Sequence, residues 1–243
     1  MGDRPFFSIC IPAYNVADYV IDCLESITAQ TCRDWEIVII DDGSTDDTLS
    51  IIGSWARECS NPVRVKSMQN RGLYAARGVA YELAQGEIII NVDSDDLLVD
   101  VDALHKLQEA FRDDTVDMVL FNASRSMKRP IQACFDYSGL ISKYGHTLCR
   151  EDLLEAFALG RVANAIWLKA FRSSLFTGNL SMPCKINLGE DRLRLATLLG
   201  AVRKAVILDE VFYFYRQNDE SITHQVYDSG KIEQECIVEQ QVF

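Results

Sequence analysis

Glu87-Ile88-Ile89-Ile90-Asn91-Val92-Asp93-Ser94-Asp95-Asp96 is the stretch on which the architecture turns. The apolar run Ile88 to Val92 reads as a strand buried in a sheet, and it passes directly into three acids within four positions. A buried strand gains nothing from ending in mutual repulsion, so the acids point to chemistry at the strand's carboxyl end. Upstream the same grammar repeats. Phe6 to Ile11 is an apolar strand stopped by Pro12, and Val16, Tyr19, Val20, Cys23, Leu24 and Ile27 then recur at helical spacing. Trp35 to Ile40 is a second buried strand, ending in Asp41-Asp42-Gly43-Ser44 before a helix with Leu49, Ile52 and Trp55 on its apolar side. Val63 to Ser67 alternates as a third strand, and Asn70-Arg71-Gly72 leads into a helix carrying Ala76, Val79, Ala80 and Leu83, with Gly86 as its C-cap. Downstream come a helix with Leu104, Leu107 and Phe111 and a strand at Met118 to Phe121. Strands alternating with helices through short turns predict an α/β fold, a mostly parallel sheet with helices on both faces.

Beyond Asn122 the periodicity fades, and the segment to about Arg150 reads as a long loop or lid. Regular signals return at Leu153 to Leu159, Ala163 to Phe171, the helix-like Glu190 to Leu199, and the strand-like Ala205 to Leu208 and Val211 to Tyr215. Residues 227–243 read as a weakly helical tail. With no repeat, low-complexity tract or linker, residues 1–243 read as one domain. Its halves span about 1–97 and 98–223, and residues 224–243 form a tail whose uncapped end suggests truncation.

The chain has 243 residues, 48% of them hydrophobic, enough to bury a sizeable core. Against 24 basic side chains stand 36 acidic ones, a formal net charge of -12, so bulk charge argues against nucleic acid and anionic lipid as partners. A polyanionic ligand must then be held locally, by backbone amides, a helix start, a few arginines or a cation. The eight cysteines form no CxxC pair and have no histidine at zinc spacing; they read as reduced, mostly buried thiols. Neither a signal peptide nor a run of roughly 20 apolar residues is present, which predicts a cytoplasmic protein with at most peripheral association at the inner membrane face.

In open sheets of this kind ligands bind at the carboxyl ends of the strands. Pro12, Tyr14 and Asn15 follow the first strand, Asp41 and Asp42 the second, and Asp93, Asp95 and Asp96 the fourth. Five carboxylates gathered at one sheet edge call for a counter-cation, and oxygen-only ligands suit Mg²⁺ or Mn²⁺, which also bridges phosphate oxygens. Alone, Asp41-Asp42-Gly43-Ser44 serves equally as an Asx turn and helix start, and Glu190-Asp191 as acids favoured at a helix N-terminus.

Taken together, Ser8-Ile9-Cys10-Ile11-Pro12-Ala13-Tyr14-Asn15, Ile39-Ile40-Asp41-Asp42-Gly43-Ser44-Thr45-Asp46, Asn70-Arg71-Gly72 with Ala76-Arg77, and Asp93-Ser94-Asp95-Asp96 resemble the family 2 glycosyltransferases of the GT-A fold. Trp167 with Lys169, Glu190-Asp191, and Tyr215-Arg216-Gln217 with Ser221-Ile222-Thr223 extend the resemblance, which covers residues 6–223. It implies a Rossmann-like nucleotide-binding half, an acceptor-binding half, and inverting transfer of a sugar from a nucleotide-sugar donor to a hydroxyl acceptor with Mn²⁺ or Mg²⁺. It further implies that Tyr14 stacks on the base beside Pro12 and Asn15, that Asp42 accepts a hydrogen bond from the base and so favours uracil, and that Arg77 faces the nucleotide or its diphosphate. Asp93 and Asp95 would hold the metal, with Asp96 as a rival ligand or a contact to the donor sugar. Asp191 would be the general base and Glu190 its neighbour orienting it or the acceptor. The acceptor would be a glycan, a lipid-linked glycan or another hydroxyl compound, as in bacterial surface polysaccharide assembly. Trp167 and Lys169 are acceptor-side candidates. The chain departs from the pattern at Asn218, where many relatives carry histidine, with His224 a substitute, and at Gly78, where asparagine is usual.

Two other functions compete. A DxD phosphohydrolase would place its motif after the first strand and would leave Tyr14, Asn15 and Asp42 without a role. A nucleotide-binding module that has lost transfer would fit the Asn218 departure.

Overall fold

The structure is a computed structural model, and it describes residues 4–128, 131–177 and 189–217. Strand β1 (Phe7–Ala13) is buried along its whole length. Its side chains alternate between two cores: Phe7, Ile9 and Ile11 pack on one face of the sheet, Cys10 on the other. That two-sided burial explains why the run is apolar at nearly every position. Pro12 does not stop the strand. Cys10 O accepts from Val92 N on the side of β4 (Ile88–Asn91), so Pro12, two residues on, turns its missing N–H toward the same side. The pairing with β4 has already ended there, at Cys10↔Asn91, while pairing with β2 (Trp35–Asp41) continues to Ala13.

Helix α1 (Val20–Thr28) starts later than the periodicity predicts and buries Val20, Cys23, Leu24 and Ile27. Helix α2 (Thr48–Glu58) buries Thr48 and Ile52 and leaves Leu49 exposed, because its start puts residues 48 and 52 on the inward stripe. Strand β3 (Val63–Ser67) is the sheet edge and carries mostly exposed side chains. Helix α3 (Leu73–Leu83) ends at Ala84 in an extended conformation, so Gly86 is not its C-cap. Glycine is needed there for space: a Cβ on residue 86 would lie 2.5 Å from Ser8 N and 2.6 Å from Phe7 C.

After β4 come β5 (Leu97–Leu98), α4 (Ala103–Ala110) and β6 (Met118–Ser124). The expected loop from 122 to 150 is corrected here: β6 runs to Ser124, and helix α5 (Ser138–Tyr144) and strand β7 (Thr147–Cys149) follow. Tyr137, Leu140 and Leu148 are buried in a second core against Met118, Leu120 and Ile207. Helix α6 (Arg150–Ala158), a 3-10 turn at Ile166–Leu168, strand β8 (Lys169–Arg172), helix α7 (Glu190–Leu199) and strand β9 (Lys204–Phe214) complete the described residues. The two strands expected at 205–208 and 211–215 are one.

The nine strands form a single sheet in the order β3-β2-β1-β4-β8-β6-β9-β5, with β7 also on β9. The first four pair in parallel as expected, and beyond them the sheet is mixed, since β8 runs antiparallel to both β4 and β6. Helices cover both faces. Among the six described cysteines only Cys10 and Cys23 are buried, fewer than expected, and all six are free thiols. Among the described residues no helix is long and apolar enough to cross a membrane. The tail expected at 224–243, with His224, lies outside the described residues, as do Asn218 and residues 221–223.

Candidate active site

The carboxyl ends of β1, β2 and β4 lie side by side, but the acids they carry divide into two groups. Asp41 is held by Ser44 N on one oxygen and by Ser67 Oγ on the other, at 3.1 and 2.7 Å. Asp42 is buried, its Oδ1 accepting from Arg71 N at 2.8 Å and its Oδ2 from Gly72 N at 2.7 Å. Those bonds fix the turn into α3, where Gly72 takes φ 88°. Asn15, at φ 50°, accepts from Thr45 N through Oδ1 and donates its own N–H to Ser44 Oγ, tying the loops after β1 and β2 together. Tyr14 leaves this knot 49% exposed, with its ring free to meet a ligand, while Pro12 is buried in β1. Asp41 and Asp42 therefore have their own donors and are not part of the repelling cluster that five converging acids implied.

The second group is a charged cluster around one guanidinium. Arg77, buried on α3, donates from Nη2 to Asp93 Oδ1 at 2.6 Å and from Nη1 to Asp191 Oδ1, with Glu190 at 3.9 Å. Its Nε is buried without a partner among the described residues. Arg77 thus meets three carboxylates. Glu190 and Asp191 open α7 directly after Gly189, whose left-handed φ of 75° turns the chain into the helix. The helix N-terminus favours acids there. Asp191 is fixed from a second side, its Oδ2 accepting from Ile166 N at 3.1 Å.

One arginine facing three largely buried acids leaves the cluster short of positive charge. Burial pushes the Glu190 carboxyl up to about 7, with Asp191 adding to the rise. Burial likewise raises Asp93, with Arg77 pulling the other way and Asp191 adding to the rise. Asp95 is pushed up to about 6 by burial and by the neighbouring Asp93, and no ion pair closes on its carboxylate among the described residues.

Asp96 points elsewhere. Its Oδ2 accepts from Tyr213 Oη and its Oδ1 from Arg216 N, both at 2.8 Å, and burial followed by Asp93 and Asp95 lifts it to about 8. Tyr213 Oη in turn accepts from Asp93 N at 3.0 Å, so Asp96 braces the loop against β9 with both oxygens engaged by protein donors. Arg216 completes the brace through Asp95 O and Asp22. Sequence reading quoted Arg216 without a role and passed over Tyr213, which looks like any apolar strand position. Trp167 stacks on Tyr213 and Tyr215 with ring centroids 4.7 and 5.3 Å apart. Lys169 is fully buried. Among the described residues no three His, Cys, Asp or Glu side chains form a metal-ligating group.

Residues 8–130 match the family described as glycosyl transferase family 2. Among curated proteins, chondroitin synthase of Escherichia coli is 40% identical over 126 residues, covering 51% of this chain and 18% of that protein. The uncharacterized glycosyltransferase EpsJ of Bacillus subtilis is 28% identical over 227 residues, covering 92% of this chain and 64% of its own length. This chain therefore spans less than two thirds of either relative. Among solved structures, S. aureus TarS 1-349 in complex with UDP-GlcNAc superposes with a TM-score of 0.76 at 22% identity, over 97% of this chain and 66% of that one. The mannosyltransferase PcManGT of Pyrobaculum calidifontis, in complex with GDP-Man and Mn²⁺, gives 0.64 at 23% identity, over 90% and 59%. At such identities the likeness carries the fold. With its family match spanning half of the chain and its sheet shared with solved glycosyltransferases, the protein belongs to glycosyl transferase family 2 and is a glycosyltransferase of the GT-A fold.

Proposed function

We propose that this glycosyltransferase moves a sugar, with inversion, from a nucleotide-sugar donor of the UDP type to a hydroxyl of a glycan or lipid-linked acceptor, using Mn²⁺ or Mg²⁺. One observation carries the reading: Arg77 joins Asp93, at the end of the donor-side strand β4, to Asp191, at the start of the helix on the other half of the chain. Donor and acceptor chemistry then meet at one charged cluster, with the halves 1–97 and 98–223 both contributing to it. Tyr14 offers the exposed face on which a base stacks, and Pro12 and Asn15 shape the loop beneath it. Asp42 contributes by fixing the 71–72 turn, with its remaining lone pairs for the base. Solved neighbours that hold UDP-GlcNAc, and GDP-Man with Mn²⁺, support the donor class and the cation.

The donor set fits the cation. Asp93 and Asp95 are hard oxygen ligands, no ion pair closes on Asp95 among the described residues, and Mg²⁺ or Mn²⁺ characteristically takes one or two carboxylates plus phosphate oxygens rather than a full protein cage. Asp96, with both oxygens engaged, belongs to the brace behind them. Asp93 and Asp95 would hold the cation, which would supply Lewis-acid neutralisation of the charge developing on the leaving nucleoside diphosphate. Asp191 takes the proton of the acceptor hydroxyl as that oxygen attacks the anomeric carbon. Arg77 and Ile166 N hold its two oxygens in place. Glu190, pushed toward neutrality, stands beside it to orient the acceptor.

Calorimetry with UDP and with GDP, each with Mn²⁺, tests the assignment. Asp95→Asn is expected to lose Mn²⁺-dependent nucleotide binding, and Asp191→Asn to keep it while losing about 10²- to 10⁴-fold in turnover. Undiminished Mn²⁺-dependent binding in the first, or full turnover in the second, refutes the corresponding role.

A further inference from the structure

Lys169 is the first residue of β8 and is fully buried, a position where an apolar side chain would be the ordinary choice. Among the described residues it makes no ion pair. Its ammonium instead donates to two backbone carbonyls of one short segment, Ala163 O at 2.6 Å and Ala165 O at 2.7 Å. Its own backbone N–H closes on Ile166 O, and Leu168 N reaches Ala165 O, so side chain and main chain clasp the same 3-10 turn. Burying an amine this deeply is costly, and burial does lower it to about 7, against an upward pull from Asp191. Two strong hydrogen bonds explain how the cost is met, but not why the turn needs such a clasp.

The answer lies one residue along. The turn's first residue, Ile166, aims its N–H at Asp191 Oδ2, 3.1 Å away, while Arg77 holds Oδ1. A carboxylate held by a single donor can swing about it, and held by two it presents one fixed lone-pair direction. We infer that Lys169 is a positioning residue for transfer: by clasping the 163–166 segment it aims the Ile166 N–H that fixes the orientation of Asp191. The inference rests on the reading of Asp191 as the base. Lys169 itself stays 0% exposed behind the turn and touches no reacting atom.

The test is a double-mutant cycle of Lys169→Met, close in volume and without donors, with Asp191→Asn. UDP release from UDP-GlcNAc with Mn²⁺ is the activity readout, and solved structures of the variants give the geometry. Lys169→Met is expected to lower kcat about tenfold with KM changed less than about twofold, and to open the Ile166 N to Asp191 Oδ2 contact beyond hydrogen-bonding distance. In the Asp191→Asn background the same change is expected to cost less than about twofold, because a residue acting through Asp191 has nothing left to position. Lys169→Gln, whose amide keeps two N–H donors, is expected to recover part of the loss. Losses that multiply across the cycle, wild-type kcat in Lys169→Met, or a variant structure with the contact intact each overturn the inference. If Lys169→Met does not fold, the cycle is run with Lys169→Leu, which likewise lacks donors, and the same outcomes decide. Full turnover in Asp191→Asn alone refutes the base reading instead, and the variant structure still decides whether Lys169 sets the contact.

Discussion

Replacing Asp95 by asparagine should stabilise the metal-free protein above neutral pH. The Asp95 carboxyl is lifted from 3.8 to about 6 by burial and by Asp93, so the folded chain binds its proton more tightly than the unfolded chain does. The sign follows: the folded state carries more protons, and stability falls as pH rises through the interval from 3.8 to about 6, then stays reduced above it. A displacement of roughly two pKa units sets a ceiling of about 3 kcal/mol on the penalty. Partial exposure of the carboxylate brings the expected gain to about 1–2 kcal/mol, or about 2–8 °C in Tm for a chain of this size. Asparagine keeps an acceptor for the residue's own backbone N–H and removes only the charge. Urea unfolding of both proteins in EDTA, at pH 4 and pH 8, isolates the effect: the variant should be more stable at pH 8, and the two should converge at pH 4. Adding Mn²⁺ with UDP should reverse the order at pH 8, because only the wild type gains from the ligand. Equal stability of the two at pH 8 in EDTA would refute the claim that this carboxylate lacks compensation.

Arg77→Met leaves Asp93, Glu190 and Asp191 without their shared cation and should cost about 3–5 kcal/mol at pH 8. The loss should shrink toward pH 5 as the acids take up protons, which chemical denaturation at the two pH values checks. Gly86→Ala sets a Cβ 2.5 Å from the backbone of Ser8 and should destabilise by about 3 kcal/mol or more, read as a lower urea midpoint with an unchanged m-value.

The half of the chain up to β4 was legible because three of its four strands, β1, β2 and β4, are buried on both faces and its helices carry one clear apolar stripe. Glu190–Leu199 was legible at both boundaries for the second reason. The 122–150 segment was not, because α5 and β7 are seven and three residues long. Each contributes one buried side chain, Leu140 and Leu148, too few to show a period. Distant partners, β9 above all, supply what makes those residues core. At the site, sequence placed acids at three strand ends but not which of them have donors of their own. Asp42 and Asp93 look alike in one dimension, yet one is held by the amides of Arg71 and Gly72 and the other by Arg77. Gly86 reads as a cap in sequence because it follows a helix, whereas the constraint on it is the backbone of β1 at Phe7 and Ser8.

The antiparallel wedge of β8 between β4 and β6 has a consequence for synthesis. Among the described strands β6 pairs only with β8 and β9, both encoded later. As the chain leaves the ribosome, β1 to β4 can zip together from neighbouring pieces, while residues 118–124 emerge sticky on every side and must wait. Such late, long-range closure slows folding and exposes an unsatisfied apolar edge, making this segment the point where assembly of the nascent chain is most vulnerable to aggregation.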